Sequence, residues 1–251
     1  MCKKTIYSCF IISIVLTSCS NIYGPALLNS DIAYQPKPMS QDSIKHSNYI
    51  HLSASSGSGA DFTDEVSFGQ ANISRAYVFK NLNTSVGAYG FAGNYLSNAM
   101  PENSNYVFRK KAFAGLGARA SANYFIVTER ANFRIIGFEA GYSKEFGKYS
   151  SFRKEYLGHP DFVINHATEI FTAGLTTEII WHTKKSIHTQ HSFRLFIGDT
   201  FTNETYYDAF GGDIENQNKY VSLNYFLQIK RFNLNIEMTS MASRMGLGYR
   251  F

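Results

Sequence analysis

The chain has 251 residues, of which 24 are Lys or Arg and 19 are Asp or Glu. A formal net charge of +5 is too weak to mark a nucleic-acid-binding surface. With 17 Tyr, 21 Phe, a single Trp and scattered glycine, the composition leans towards β structure.

The first element is an apolar run from Ile6 to Thr17. Crossing a bilayer as a helix takes roughly 20 apolar residues, so this run is too short for a permanent helical anchor. Lys3 and Lys4 precede it, Ile11 to Leu16 form its middle, and Thr17 and Ser18 stand before Cys19. That layout predicts a secretory signal over residues 1–18. The order Leu16-Thr17-Ser18-Cys19 resembles a bacterial lipobox, which implies that Cys19 becomes the first mature residue and carries acyl chains such as palmitate. Cleavage there removes Cys2 and Cys9 together with Lys3 and Lys4. It leaves 22 basic residues against 19 acidic, a net charge of +3, and no second cysteine for an intrachain disulfide.

Residues 19–47 hold Pro25, Pro36 and Pro38 and no sustained period, which predicts an extended tether. From residue 48 to the carboxyl end the pattern alternates, the signature of strands with two unlike faces. Ala112, Ala114, Leu116, Ala118, Tyr124 and Ile126 share one parity, against Lys111, Gly115, Gly117, Arg119 and Asn123 on the other, with Phe113 as an exception. Ile136, Phe138, Ala140 and Tyr142 oppose Gly137, Glu139, Gly141, Ser143 and Glu145. Similar series run through Phe171 to Trp181 and through Val221 to Ile229.

A soluble barrel with its apolar face inward and a membrane barrel with that face outward both alternate in this way. The second face decides for the membrane. It mixes Arg109, Lys111, Arg119, Glu139, Glu178, Arg194 and Glu237 with Gly, Ser, Thr and Asn, which suits the polar interior of a narrow barrel. Short links near 80–83, 128–132, 182–188 and 230–232 alternate with longer ones at 97–105, 148–165 and 202–218, as outer-membrane barrels require. Near the end, Phe232 to Met238 keep even numbers and Met245 to Phe251 odd ones, so a tight turn falls near 240–243.

The expected fold is therefore all-β, a transmembrane antiparallel up-and-down barrel of about ten strands, with eight as the alternative. The strands fall near 48–57, 65–80, 82–96, 106–127, 132–147, 166–182, 189–201, 218–230, 232–240 and 243–251. Side chains can fill a barrel of this size, so no open pore is expected. An even number puts both barrel ends on the periplasmic side.

The closing segment MGLGYRF, with Tyr249 and the terminal Phe251, is similar to the last strand of bacterial outer-membrane proteins, which implies recognition by the barrel-assembly machinery. Lipobox, proline-containing tether and barrel together resemble the lipidated outer-membrane barrels of Bacteroidota. In that group acidic residues after the lipidated cysteine resemble a surface-export tag. Here the first acid is Asp31, which implies a lipid facing the periplasm. The resemblance also implies outer-membrane lipid and a larger envelope complex as partners.

Catalytic and metal constellations are weak. His191 and Ser192 are adjacent in a strand and so point to opposite faces, and His182, His188 and His191 match no standard metal spacing. No glycine-rich segment has the lysine and strand-to-helix context of a phosphate loop, and no cofactor is expected. The reading that results is a non-enzymatic accessory barrel, with a narrow channel or a lipid-modifying enzyme as alternatives. Replacing Cys19 with Ala is expected to abolish acyl mass on the mature chain, as read by intact mass spectrometry.

Overall fold

The structure, a computed structural model, describes residues 21–39, 45–60, 64–97, 109–129, 131–160, 162–183, 186–202 and 219–251. The chain runs through β1 (Asn21–Tyr23), β2 (His46–Ser58), β3 (Glu65–Val78), β4 (Leu82–Leu96), β5 (Lys110–Val127) and β6 (Ala131–Phe146). It continues through α1 (Lys148–Glu155), β7 (Phe162–Ile164), β8 (Glu169–Thr183), β9 (Ser186–Thr202), β10 (Lys219–Ile229), β11 (Phe232–Thr239) and β12 (Ala242–Arg250).

Ten of these strands, β2 to β6 and β8 to β12, form one closed barrel in which every neighbour is antiparallel. They match the ten segments expected from the alternation. The ring closes where β12 pairs with β2, from Ala242 opposite Gly57 to Arg250 opposite Tyr49. Asn48 and Phe251 then exchange two backbone hydrogen bonds of 3.2 and 3.0 Å, which seals the last residue against the first barrel strand.

The two faces of the wall have opposite chemistry. Leu52, Ile73, Leu116, Phe138, Leu175, Ile197, Met245 and Leu247 all point outward, with Leu247 67% exposed. The inward face carries Ser53, Gln70, Asn123, Thr176, Ser192, Asn224 and the charged residues. A soluble fold would bury the first set and expose the second, so this wall is built for hydrocarbon outside and a polar lumen inside. Aromatic residues gather towards both rims, with Tyr77, Phe79, Tyr124, Trp181 and Tyr249 at one and Tyr142, Phe146, Phe171 and Phe201 at the other. Membrane barrels carry such girdles at their two interfaces.

Two further features bear on the lumen. Between β6 and its neighbours the register slips at Arg134–Gly137, and Ile135 and Ile136 both face outward. This bulge reverses the parity of β6, so Asn132 and Arg134 point inward from even positions while Glu139 and Glu145 do so from odd ones. At the end with longer connections, α1 and β7 fold over the opening. β7 pairs in parallel with β1, Asn21 opposite Phe162 and Tyr23 opposite Ile164. Tyr23, Tyr95, Phe113, Tyr149, Phe152 and Phe162 pack there into one aromatic cluster.

The segment expected to be a tether enters the barrel. Residues 23–39 are buried, and their contacts descend β6 step by step. Ala26 bonds Glu145, Asp31 and Ile32 lie against Gly141, Lys37 faces Glu139, and the carbonyls of Lys37 and Pro38 meet Arg134. From Glu145 to Arg134 is eleven residues of strand, about 36 Å at roughly 3.3 Å each, so the segment runs the length of the lumen. It starts at the long-connection end and leaves at the short-turn end, where Lys45 accepts from Val78 and β2 begins. The stretch read as an extended tether thus runs, from residue 23 to 39, inside the barrel. A lumen lined by side-chain donors offers an unpaired peptide more partners than a membrane surface does.

Gly174 of β8 and Gly198 of β9 are register partners that leave room for the ring of Phe196. A Cβ at Gly174 would stand 2.4 Å from the Ile197 carbonyl oxygen and 2.7 Å from Phe196 Cζ. Gly174→Val is expected to cost about 1–3 kcal/mol by overpacking, measured as a lower urea midpoint for loss of folded-barrel gel mobility.

Candidate functional site

The lumen is the candidate site, because it is where the buried charge of the chain converges. Arg194, projecting inward from β9, bonds Glu139 of β6 through Nη2 and lies 3.5 Å from Glu237 of β11 through Nη1. Arg244 of β12 reaches the other oxygen of Glu237 at 3.0 Å and donates from Nε to Ser55 Oγ at 3.0 Å. Lys37 of the inner segment places its Nζ 3.5 Å from Glu139. Three cations and two carboxylates thus form one chain across the barrel, running from the inner segment through β6, β9, β11 and β12.

A second group sits nearer the short turns. Arg134 pairs with Glu178 of β8, which also accepts from Ser192 and from Tyr34 Oη at 2.5 Å. A third lies under the cap, where Arg153 of α1 bonds Glu145 at 2.5 Å and donates to the carbonyls of Asn165 and Ala167 at 2.7 and 2.8 Å. The same carboxylate accepts from the Ala26 backbone at 2.7 Å. Asp31 accepts from Thr172 at 2.8 Å. Isolated charges at this depth would be prohibitive, and the Arg and Glu side chains of these groups are held in ion pairs, while Asp31 takes a hydrogen bond from Thr172.

How the inner segment is held follows from its own composition. Pro25, Pro36 and Pro38 have no N–H to satisfy, so residues 23–39 bring fewer donors than acceptors into the lumen. The wall and the cap helix α1 supply the missing donors from Tyr and Arg. Tyr149 Oη donates to Gly24 O at 2.8 Å, Tyr220 Oη to Ile32 O at 2.7 Å, and Arg119 Nη1 to Ala33 O at 2.6 Å. Arg244 Nη2 donates to Ser30 O, and Arg134 Nη2 to Lys37 O and Pro38 O at 3.4 Å each. Apolar packing is local, with Ile32 set against Phe196 and Tyr220. One turn, in which Leu28 and Ser30 donate to Pro25 and Leu27, tightens the upper part.

Of the charges expected inside, Arg119, Glu139, Glu178, Arg194 and Glu237 are all buried in the lumen. Lys111 is half-buried near the rim, with Nζ 5.2 Å from the Phe152 ring centroid. Arg109 precedes β5 at a bend and is exposed, because the strand begins one residue later and no wall encloses it. The alternation puts Glu145 on the polar face without naming it a site residue, and does not single out Lys37, Asp31, Arg134, Arg153 or Arg244. Arg244 carried a signal, since it has the parity opposite to Met245 and Leu247. Arg134 carried a misleading one because of the bulge.

The remaining candidates are placed as follows. His191 lies on the outer face, its ring stacked on Trp181 and Nδ1 2.8 Å from Tyr225 Oη, whereas Ser192 is buried in the lumen beside Glu178. The two cannot act as a dyad. His182 is near the short-turn rim, and His188 is in β9 with its side chain outside the described residues. Among the described residues no group of three His, Cys, Asp or Glu could hold a metal ion. Tyr249 pairs with Ile50 and Phe232, and Phe251 ends the barrel beside Asn48. Cys19 falls outside the described residues.

No protein-family model and no curated protein matches the chain. Several solved structures are similar to it at low identity. The transport unit of the autotransporter AIDA-I from Escherichia coli aligns over 90% of this chain and 95% of its own, with 10% identity and a TM-score of 0.47. The translocator domain of the autotransporter NalP from Neisseria meningitidis aligns over 84% and 90%, with 6% identity and a TM-score of 0.37. The outer membrane protein OprG from Pseudomonas aeruginosa aligns over 82% and 97%, with 11% identity and a TM-score of 0.34.

Arg194→Met would leave Glu139 and Glu237 short of their shared cation. It is expected to destabilise the barrel by roughly 3–5 kcal/mol, the usual consequence of stranding a buried charge. Arg194→Lys should recover only part of this, since one ammonium cannot span both carboxylates as a guanidinium does. Urea unfolding followed by tryptophan fluorescence reads both variants.

Proposed function

We propose that the chain is an integral outer-membrane lipoprotein barrel, non-enzymatic, acting as a structural or accessory subunit of an envelope assembly. The observation that carries this reading is the lumen itself, filled along its length by residues 23–39 and closed above by α1 and β7. A barrel stoppered by its own chain has no continuous path for solute. Its wall still presents a full apolar exterior and two rims to the membrane and to neighbours. The closely spaced strand ends Val78 and Leu82, Val127 and Ala131, Thr183 and Ser186, and Ile229 and Phe232 lie at one end, which outer-membrane barrels turn to the periplasm. Cys19, as the lipid attachment residue, adds a second membrane contact, and Tyr249 and Phe251 supply the signal for the barrel-assembly machinery.

A second reading is a gated channel for small solutes or ions. One observation favours it: the inner segment is held largely by Arg and Tyr hydrogen bonds to its carbonyls and by single ion pairs. Contacts of that kind are reversible.

Conductance across planar bilayers separates the two. The intact protein is expected to be silent, and a chain lacking residues 23–39 to show stable unitary steps. Steady conductance of the intact protein would favour the channel, and a stoichiometric partner recovered in mild detergent would favour the accessory role.

A further inference from the structure

We infer that the inner segment carries the amino-terminal end of the mature chain to the barrel end opposite its carboxyl terminus, so that acylated Cys19 inserts into the outer leaflet on the long-connection side. The lipid in this inference rests on the lipoprotein reading above; the course of the chain does not.

The direction is fixed by contacts at both ends. At the long-connection end β1 is locked by three parallel pairs with β7, the Asn165 N–H donates to Tyr23 O at 2.9 Å, and Tyr23 Oη lies 3.0 Å from Ser97 Oγ just beyond β4. At the short-turn end the Lys37 and Pro38 carbonyls meet Arg134, three residues into β6, and β2 sets out beside Phe251. Between them, rising numbers in the segment meet falling numbers in β6, through Glu145, Gly141, Glu139 and Arg134.

Because β1 runs parallel to β7, the chain before Asn21 heads past Phe162 towards the turn that joins α1 to β7, at the long-connection end. β7 leads through Asn165, whose side chain donates to Thr202 at the end of β9 at 3.2 Å, and into β8 at Glu169. Cys19 is two residues before Asn21, within about 7 Å of chain. The same end of the barrel carries Phe171 and Phe201, outward-facing rings 6.2 Å apart. Because the short turns face the periplasm in such barrels, this rim belongs to the cell surface.

Single-thiol labelling in whole cells tests this. Acylated Cys19 has no free thiol, so Ser20→Cys introduces the one reactive thiol of the mature chain. Glu155→Cys in α1 marks the long-connection end and Lys80→Cys the short-turn end. With a membrane-impermeant maleimide, Ser20→Cys is expected to label in intact cells as Glu155→Cys does, while Lys80→Cys labels only after permeabilisation. Ser20→Cys behaving like Lys80→Cys would overturn the inference. Should Ser20→Cys fail to accumulate, the double variant Asp31→Cys and Thr172→Cys, at side chains now 2.8 Å apart, is expected to cross-link in the purified barrel, and absence of the cross-link would overturn the threading. Intact mass separates the two layers. A mature chain without acyl mass removes the lipid from the inference, and the Cys19 thiol then labels and reports the chain end directly.

Discussion

In hydrocarbon no water is available to a peptide group, and every other feature of this protein follows from that constraint. A sheet can meet it only by closing on itself, and ten strands do so here with β12 against β2. Closure fixes the outer face as apolar and leaves the inner face to bear the polarity of the sequence. The narrow lumen then brings Glu139, Glu178, Arg194, Glu237 and Arg244 within reach of one another, where each would be costly alone. The inner segment completes the arrangement. Lys37 joins the carboxylates, and the carbonyls of residues 24–38 take up guanidinium and phenol donors that a lumen of this width could not satisfy among its own strands.

The wall was legible in the sequence because period two is a strong signal over strands of 8–18 residues. Alternation placed ten strands, put Leu116, Phe138 and Leu175 outside, and put Arg119, Glu139, Glu178, Arg194 and Glu237 inside. Phe113, the exception to the alternation, is an interior aromatic in the cap cluster. The errors have local causes. A bulge at Ile135–Ile136 resets parity, and no count from Phe138 backwards can place Arg134 correctly across it. Parity also carries no information once a strand stops, so it encloses Arg109, which stands exposed one residue before β5.

The inner segment was illegible for a different reason. Periodicity reports a repeated contact with one surface, whereas residues 23–39 are surrounded on all sides and touch a different strand at almost every step. Such a segment has no preferred face. Its signs were compositional: Leu27, Leu28, Ile32, Ala33 and Tyr34 are too apolar for a solvated linker, and three prolines lighten its demand for acceptors. The prolines fit a tether and a buried strap alike, and the long-range contacts tell them apart.

The threaded course of residues 21–39 also constrains the order of assembly. A chain end bearing acyl groups would have to be dragged past Arg134, Glu139 and Arg194 to enter a finished barrel, at the expense of burying hydrocarbon against charge. The alternative sequence of events is open to a chain made from its amino end: the segment is laid down first, the strands curl around it, and β12, the last strand synthesised, closes on β2, the first to follow the segment. The segment is then a mandrel on which the wall is wound. Tyr249 and Phe251 lie at the β12–β2 seam that completes the circuit.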